Sequence, residues 1–270
     1  MSYKVFNSKK LTWNTTLNFS HNKNRIIELF DPKIVANVTK ESIYTLGSSG
    51  SYTALRLDGS FGDLYGRTFK TDNQGRVIVN TTTHLPLFVD SIFANPNPKY
   101  IVGWNNNFSF GRFNVNMLID GKFGGKVLSI TQGYLDQMGV SQRSADARNN
   151  GNTVTINNAV DEGGHAWSGT VDAQTYYKYI GGKTPAGAAY TYSATAVRMR
   201  EIAISYQLPF NNKVVKDMRV ALIGNNLFFF KKEAPFDPEQ VAGVNAGGTG
   251  IDAFGLPAYR SYGISLKCTF

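Results

Sequence analysis

The residues of this 270-residue sequence that could do chemistry lie mainly between positions 161 and 184. Residues 181–184 read GGKT, like the end of a phosphate-binding loop, and residues 161–165 place two carboxylates near a histidine, as an acid and a base would be placed. Tyr177, however, occupies the position of the loop's first glycine, and Pro185 follows where a helix would begin. The acidic residues lie in a glycine-rich segment with no nucleophile at a suitable spacing. Neither group predicts an active site.

Metal and redox chemistry are not predicted either. Cys268 is the single cysteine and cannot form an internal disulfide, and His21, His84 and His165 lie far apart without a spacing typical of a zinc site. A glycoside hydrolase needs two carboxylates about 5–9.5 Å apart in a cleft, and the sequence offers no such pair. We therefore predict a protein that is not an enzyme and that binds no cofactor or metal.

Composition narrows the class of protein. Aromatic residues reach 13% and there are 27 glycines, whereas charged residues reach only 17%, against roughly 25% in typical soluble domains. The formal charge is +9, but the 28 lysines and arginines are scattered, so no nucleic-acid partner is predicted. No apolar run approaches the ~18 residues of a membrane helix, and the N-terminus lacks the apolar core of a signal peptide. A soluble protein and a β-barrel membrane protein both remain.

The elements that would position any site are strands with period-two alternation. About eight antiparallel strands are predicted, near residues 11–21, 52–60, 64–70, 100–110, 113–123, 200–210, 217–230 and 259–270. The apolar phase slips at residues 197–200, which predicts a bulge. The two residues Gly111 and Arg112 join their strands in a very tight turn.

The connections between these strands are unequal. Residues 111–112 and 209–216 are short turns, whereas residues 125–195 and 231–256 form long connections at the opposite strand ends, a layout typical of outer-membrane barrels. Aromatic residues near strand ends would form interfacial girdles; they are Trp13, Tyr100, Trp104, Tyr206, Tyr259 and Tyr262. The same alternation also suits a soluble sheet. A soluble all-β carbohydrate-binding module is therefore the alternative.

Several segments, in order, resemble the C-terminal portion of SusC/RagA-type TonB-dependent transporters. They are residues 59–80, 95–127, 197–209 and 224–239, followed by the aromatic-terminated last strand. The resemblance implies an all-β fold: an antiparallel transmembrane β-barrel segment, about eight strands of a 22-stranded barrel, with long extracellular loops. It also implies a location in the cell outer membrane of a Bacteroidetes-type bacterium. The function implied is import of glycans or other large nutrients, with a SusD-like surface lipoprotein as partner and TonB supplying energy.

The resemblance also assigns a role to the last strand. The barrel-assembly machinery would recognise its alternating apolar side chains and terminal aromatic residue, namely Tyr262, Ile264, Leu266, Cys268 and Phe270. We expect residues 1–270 to lack the plug domain, TonB box and signal peptide of the family. Residues 1–270 are therefore expected to be the C-terminal part of the barrel, surrounded by outer-membrane lipid, with TonB acting through the missing N-terminal part.

Aromatic residues crowd the long connection at residues 125–195. They are Trp167, Tyr176, Tyr177, Tyr179, Tyr190 and Tyr192. Aromatic faces can stack on sugar rings, and loops on a rigid scaffold often carry recognition. The sequence therefore predicts a substrate-contacting loop here, with simple packing inside the loop as the alternative.

Overall fold

The computed structural model describes residues 1–8, 10–31, 33, 38–39, 42–46, 52–209, 215–243 and 247–270. Its strands, numbered in chain order, are β1 (Ser2–Asn7), β2 (Leu11–His21), β3 (Tyr44–Thr45), β4 (Thr53–Leu55), β5 (Asp63–Phe69), β6 (Val77–Ile78), β7 (Phe88–Ala94), β8 (Tyr100–Phe110), β9 (Phe113–Phe123), β10 (Lys126–Ser129), β11 (Thr153–Val160), β12 (Ala166–Asp172), β13 (Thr191–Ser193), β14 (Ala196–Leu208), β15 (Asp217–Lys232), β16 (Ile251–Asp252) and β17 (Ser261–Thr269). The helices are α1 (Ile130–Gln137), α2 (Gln142–Asn149), α3 (Ala173–Ile180) and α4 (Gly187–Tyr190). Within these residues, no helix has the length and apolar character needed to cross a membrane.

Seven strands form one antiparallel sheet, which we call the wall, in the order β1-β2-β8-β9-β14-β15-β17. Each wall strand pairs with the next wall strand along the chain. The sheet is open, with β1 and β17 at its edges. The predicted all-β fold with antiparallel strands is confirmed.

The register of the wall gathers its apolar side chains on one face. One row crosses six strands and consists of Trp13, Phe108, Val115, Ile204, Leu222 and Ile264. Its members are half-buried or exposed, and Leu222 and Ile264 expose 59% and 78% of their surface. The opposite face is polar, and Asn107 and Asn114 exchange side-chain hydrogen bonds of 3.1 and 3.3 Å on it. The wall therefore separates an apolar surface from a polar one.

Asn106 and Thr15 are polar side chains in the middle of the apolar face, and both are hydrogen-bonded. The Trp13 indole Nε1 donates to Asn106 Oδ1 at 3.1 Å, and the Trp104 indole Nε1 donates to Thr15 Oγ1 at 2.8 Å. A polar group away from water is costly unless it has such a partner. These two bonds let polar atoms occupy a mainly apolar surface.

The long connections all leave the same end of the wall. Because neighbouring strands are antiparallel, connections alternate between ends: residues 8–10, 111–112 and 209–216 lie at one end, and residues 22–99, 124–195 and 233–260 at the other. We call the three long connections the cap. The predicted division into short turns and long connections is confirmed. Residues 210–214, in one predicted turn, lie outside the described residues.

The predicted membership of the wall needs two corrections. The strands predicted at residues 52–60 and 64–70 form as β4 and β5, but they belong to a four-stranded sheet of the cap in the order β3-β4-β5-β7. Both are partly buried on both faces, as cap strands covered by other elements must be. The wall instead includes β1, whose bulge between Lys4 and Phe6 disturbs the alternation that would have revealed it. The wall thus has seven strands where about eight were predicted.

The cap is a folded unit, not a set of separate loops. Strand β6 of the first connection pairs in parallel with β11 of the second, and β10 of the second pairs in parallel with β16 of the third. Two apolar clusters lie between these elements: Leu64, Leu128, Ile180, Ala186, Tyr190 and Ile251 in one, and Val79, Ile156, Ala159 and Val171 in the other. The long segment 125–195 therefore contributes strands and helices to a core.

Side-chain caps fix where three of the cap helices begin. Ser129, Ser141 and Asp172 precede α1, α2 and α3, and each accepts a hydrogen bond from a backbone N–H three residues later. Such a bond satisfies one of the donors that a helix leaves free at its first turn. The helices thus begin where the sequence supplies a capping oxygen.

Candidate functional site

Charged side chains gather where the polar face of the wall meets the cap. Arg198 on β14 is the register partner of Asp120 on β9, and it exposes only 4% of its surface. Its guanidinium lies 3.4 Å from Asp120 Oδ1 and 3.3 Å from Asp237 Oδ2, and it also contacts Glu239. A buried cation is tolerable only when it is paired in this way.

A bulge brings Arg200 to the same place. The β14 register shifts between Met199 and Glu201, as the slip in apolar phase predicted, so Ile202 still faces the apolar side. Arg200 Nε donates to Asp120 Oδ2 at 2.8 Å, and Arg200 Nη2 lies 3.1 Å from Glu239 Oε2. The extra residue at the bulge lets β14 place both arginines on the polar face. Residues after the bulge, such as Ile202, keep their places on the apolar and polar faces.

The carboxylates come from a tight turn in the third connection. Asp237 Oδ1 accepts a hydrogen bond of 3.0 Å from the Glu239 backbone N–H, which closes a turn around Pro238. Lys122 Nζ, on β9, lies 2.9 Å from Glu239 Oε1. The six charged residues, which we call the charge network, are Asp120, Lys122, Arg198, Arg200, Asp237 and Glu239. They fasten the third connection of the cap to two strands of the wall.

Glu239 remains ionised in this network. Burial acts to raise its pKa, but the hydrogen bond and charge of Lys122 and the charges of Arg198 and Arg200 outweigh burial and lower the pKa from 4.5 to about 2. The sequence contained two signals of the network: the phase slip in β14 and the Asp-Pro-Glu turn. It did not show that these segments, about forty residues apart, would meet.

The predicted loop aromatics all lie in the cap, and packing accounts for their contacts. The Trp167 ring stacks on His84 at 4.8 Å, Tyr179 packs on Phe88 at 4.9 Å, and Tyr192 meets Phe236 edge-on at 5.6 Å. Tyr176 and Tyr177 lie edge to face at 5.5 Å. Ligand contact by the half-buried rings Trp167, Tyr176, Tyr177, Tyr179 and Tyr192 stays a prediction.

Tyr190 differs from the other five aromatics because it is fully buried. Its hydroxyl donates to Asp136 Oδ2 at 2.8 Å, and the Arg143 guanidinium lies over its ring at 4.7 Å. Burial, together with the neighbouring Asp136 carboxylate, raises the pKa of the Tyr190 phenol well above its ordinary value. In this structure the ring supports the core of the cap and offers no face to a ligand.

The structure places the predicted assembly signal on the apolar face at the edge of the wall. Tyr262, Ile264, Leu266 and Cys268 are opposite Gly224, Leu222, Val220 and Met218 of β15. Four members of the signal are exposed: Tyr262, Ile264, Leu266 and Phe270. Among the described residues, β17 has a strand on one side only. Recognition by assembly machinery stays a prediction.

No family model matches the chain. A protein named TonB-dependent receptor P3, from Formosa agariphila, is 24% identical over 299 residues, which cover 97% of this chain and 27% of that protein. The RagAB peptide transporter matches with a TM-score of 0.63 and 15% identity, over 98% of this chain and 28% of that chain. The RagAB peptide importer in the open-open state also gives 0.63, at 14% identity, over 100% of this chain and 28% of that one.

The chain therefore spans less than a third of the length of each of these proteins. The structural matches show a shared fold, and the sequence match to the receptor extends over nearly the whole chain. Together they confirm that this chain resembles a SusC/RagA-type TonB-dependent transporter.

Proposed function

We propose that residues 1–270 form part of the barrel wall and the extracellular cap of an outer-membrane transporter that imports glycans or other large nutrients. The observation that carries this proposal is the apolar face of the wall, which continues from strand to strand and is exposed. Strands β2, β8 and β9 each contain 11 residues, which matches the ~9–11 residues of a tilted strand that crosses a bilayer. Hydrocarbon is the solvent that suits such a face.

The alternative, a soluble carbohydrate-binding module, fits this face poorly. A soluble sandwich covers the inner face of one sheet with a second sheet about 10 Å away. Among the described residues the apolar rows remain open, with large exposed side chains such as Phe19, Leu222 and Ile264. A contiguous apolar surface of this kind marks contact with a membrane or a partner.

The proposed mechanism is gated passage and involves no enzymatic step. The polar face of the wall would line the lumen, and the cap would form the extracellular mouth above it. A SusD-like surface lipoprotein would cover the cap, and TonB would act through a part of the transporter outside this chain. The charge network supports this division, because it fixes the mouth to the wall and would hold its shape while the lumen opens.

The test uses the protein as the cell makes it. A strain lacking the gene should lose uptake of at least one fluorescently labelled nutrient polymer, and depletion of TonB in the parent strain should cause the same loss. The protein should fractionate with outer membranes and require detergent for extraction. Recovery as a soluble monomer without detergent would contradict the proposal and favour the carbohydrate-binding module.

A further inference from the structure

The upper part of β15 has a free edge. Its pairing with β14 continues to Lys232, opposite Ala196, but its pairing with β17 stops at Asn225, opposite Ser261. Among the described residues, no strand therefore pairs with the second side of β15 from Asn226 to Lys232. A strand edge of this kind presents backbone N–H and C=O groups that can hydrogen-bond another chain.

This edge forms one side of a cavity of about 560 Å³, which we call the junction cavity. Residues at the start of α1, between 235 and 240, at Asp252 and in the segment 255–260 form the other sides. The volume falls within the range of about 300–1,000 Å³ that is typical of ligand sites. Arg198 of the charge network also lines it, so the cavity lies at the point where the cap is attached to the wall.

No described segment of the chain completes the sheet at this edge. The segment 255–260 lies across the cavity but has no regular strand structure. Pro257, within it, has no backbone N–H and cannot donate to a ladder. As far as the described residues reach, the edge and the cavity are therefore open to an added strand.

The lining combines an apolar surface, the carboxylates Asp237 and Asp252, and two cations, Lys232 and Arg260. Leu227, Phe228, Phe229 and Phe236 supply apolar area. Lys232 contacts the Pro235 carbonyl oxygen at 3.4 Å, and within the described part of the chain neither Lys232 nor Arg260 forms an ion pair. Arg198, in contrast, is already neutralised by its carboxylates. The carboxylates of the lining are also engaged, Asp237 by Arg198 and Asp252 by Ser129 Oγ at 2.5 Å, so Lys232 and Arg260 are the charges that could meet an anionic group of a ligand.

We propose that the free edge of β15 binds an extended peptide by strand addition. The peptide backbone would pair with residues 226–232 and add one strand to the sheet. Alternate side chains of the peptide would pack on Phe228, Phe229 and Phe236. A C-terminal or acidic carboxylate would lie near Lys232 and Arg260. The inference rests on the proposed transport function and specifies its substrate class. A glycan lacks the alternating amide groups that the edge matches, which favours a peptide.

Backbone N-methylation provides a sharp test, because only alternate amides of an added strand face the edge. The ligand is acetyl-Ala-Leu-Ala-Leu-Ala with a free carboxylate, titrated calorimetrically into the detergent-purified protein as the cell makes it. Two analogues carry N-methyl groups on the odd or on the even residues. One analogue should lose at least about tenfold in affinity, because two or three backbone hydrogen bonds are removed, and the other should bind almost normally.

Substitutions in the protein test the charged end of the site. Lys232→Ala and Arg260→Ala should each weaken binding about threefold to tenfold, as expected for a partly exposed charge-assisted hydrogen bond. The matched control is Lys231→Ala, because Lys231 is the neighbouring residue, pairs with Glu233 at 3.0 Å and lies outside the cavity lining. A peptide with a C-terminal amide in place of the carboxylate should bind the Lys232→Ala variant as well as it binds the unchanged protein.

The outcomes separate this inference from the transport proposal. Equal binding of both N-methylated peptides would overturn strand addition. Absence of peptide binding by a protein that extracts from outer membranes and supports uptake of a glycan would overturn the peptide class and leave the transport function standing. A strong response to one methylation pattern and to Lys232→Ala would support the site.

Discussion

The wall and the cap are built for different surroundings. Among the described residues, all but two of the buried apolar side chains lie in the cap, and the two exceptions, Ala196 and Met199, are at the end of β14 that meets the cap. The wall carries its large apolar side chains on an exposed face instead. One chain therefore contains a region held by an internal core and a region held by its backbone ladder and by an apolar exterior. A substitution at an exposed site, which the cap should tolerate, should therefore destabilise the wall when it alters the apolar face.

The largest effect is expected at the junction between the two regions. Arg198→Leu should destabilise the attachment of the cap by about 3–5 kcal/mol, because it leaves buried Asp237 without its cation. Limited proteolysis of the third connection in detergent should reveal the detached cap. Arg25→Leu is the control, since Arg25 is 63% exposed in its pair with Asp58 and should cost only about 0–1 kcal/mol.

A substitution that creates a cavity in the core of the cap should lower the stability of the cap but not that of the wall. Leu128→Ala removes a fully buried side chain and should destabilise the cap by about 2–5 kcal/mol. The wall should keep its heat-modifiable migration on gels, while the cap unfolds at lower denaturant concentration. The matched control is Leu256→Ala, because Leu256 is 85% exposed. A wall that melts together with the cap would show that the two regions are one cooperative unit.

A charge on the apolar face should reverse the usual rule that exposed sites tolerate change. Leu17→Arg should cost about 2–4 kcal/mol if Leu17 faces lipid near the midplane. Asn18→Arg, one residue further on the polar face, should be tolerated. A folding titration into lipid vesicles compares the two variants. Similar losses of folding free energy at both positions would show that the apolar face does not contact lipid.

The smallest effect concerns pH. The pKa of Glu239 is lowered to about 2 from 4.5, so its contribution to stability is complete above pH 4.5 and is lost as the pH falls towards 2. Glu239→Gln should abolish this acid-dependent loosening of the third connection. The measurement is proteolytic cleavage by an acid-active protease across this pH interval. An unchanged acid response in the variant would assign the loosening to other carboxylates.

Strand periodicity allowed much of the wall to be predicted, because alternation is a local property that survives in any sheet. It could not tell which sheet a strand joins, so the segments at 52–60 and 64–70 were assigned to the wall although β4 and β5 belong to the cap. The pairing of β6 with β11 joins residues about eighty positions apart, and no local signal predicts it. Tyr190 illustrates the same limit, because its burial depends on Asp136, Arg143 and the surrounding cap.

The parallel pairings inside the cap also bear on how such proteins change during evolution. The second connection is joined to the first through β6 and β11 and to the third through β10 and β16. A single connection exchanged for that of a relative would bring strands whose partners are missing. We expect recombination that alters the cap to replace all three connections together or to preserve these two pairings. We therefore expect the cap to change as one module, even though its parts are scattered along the chain.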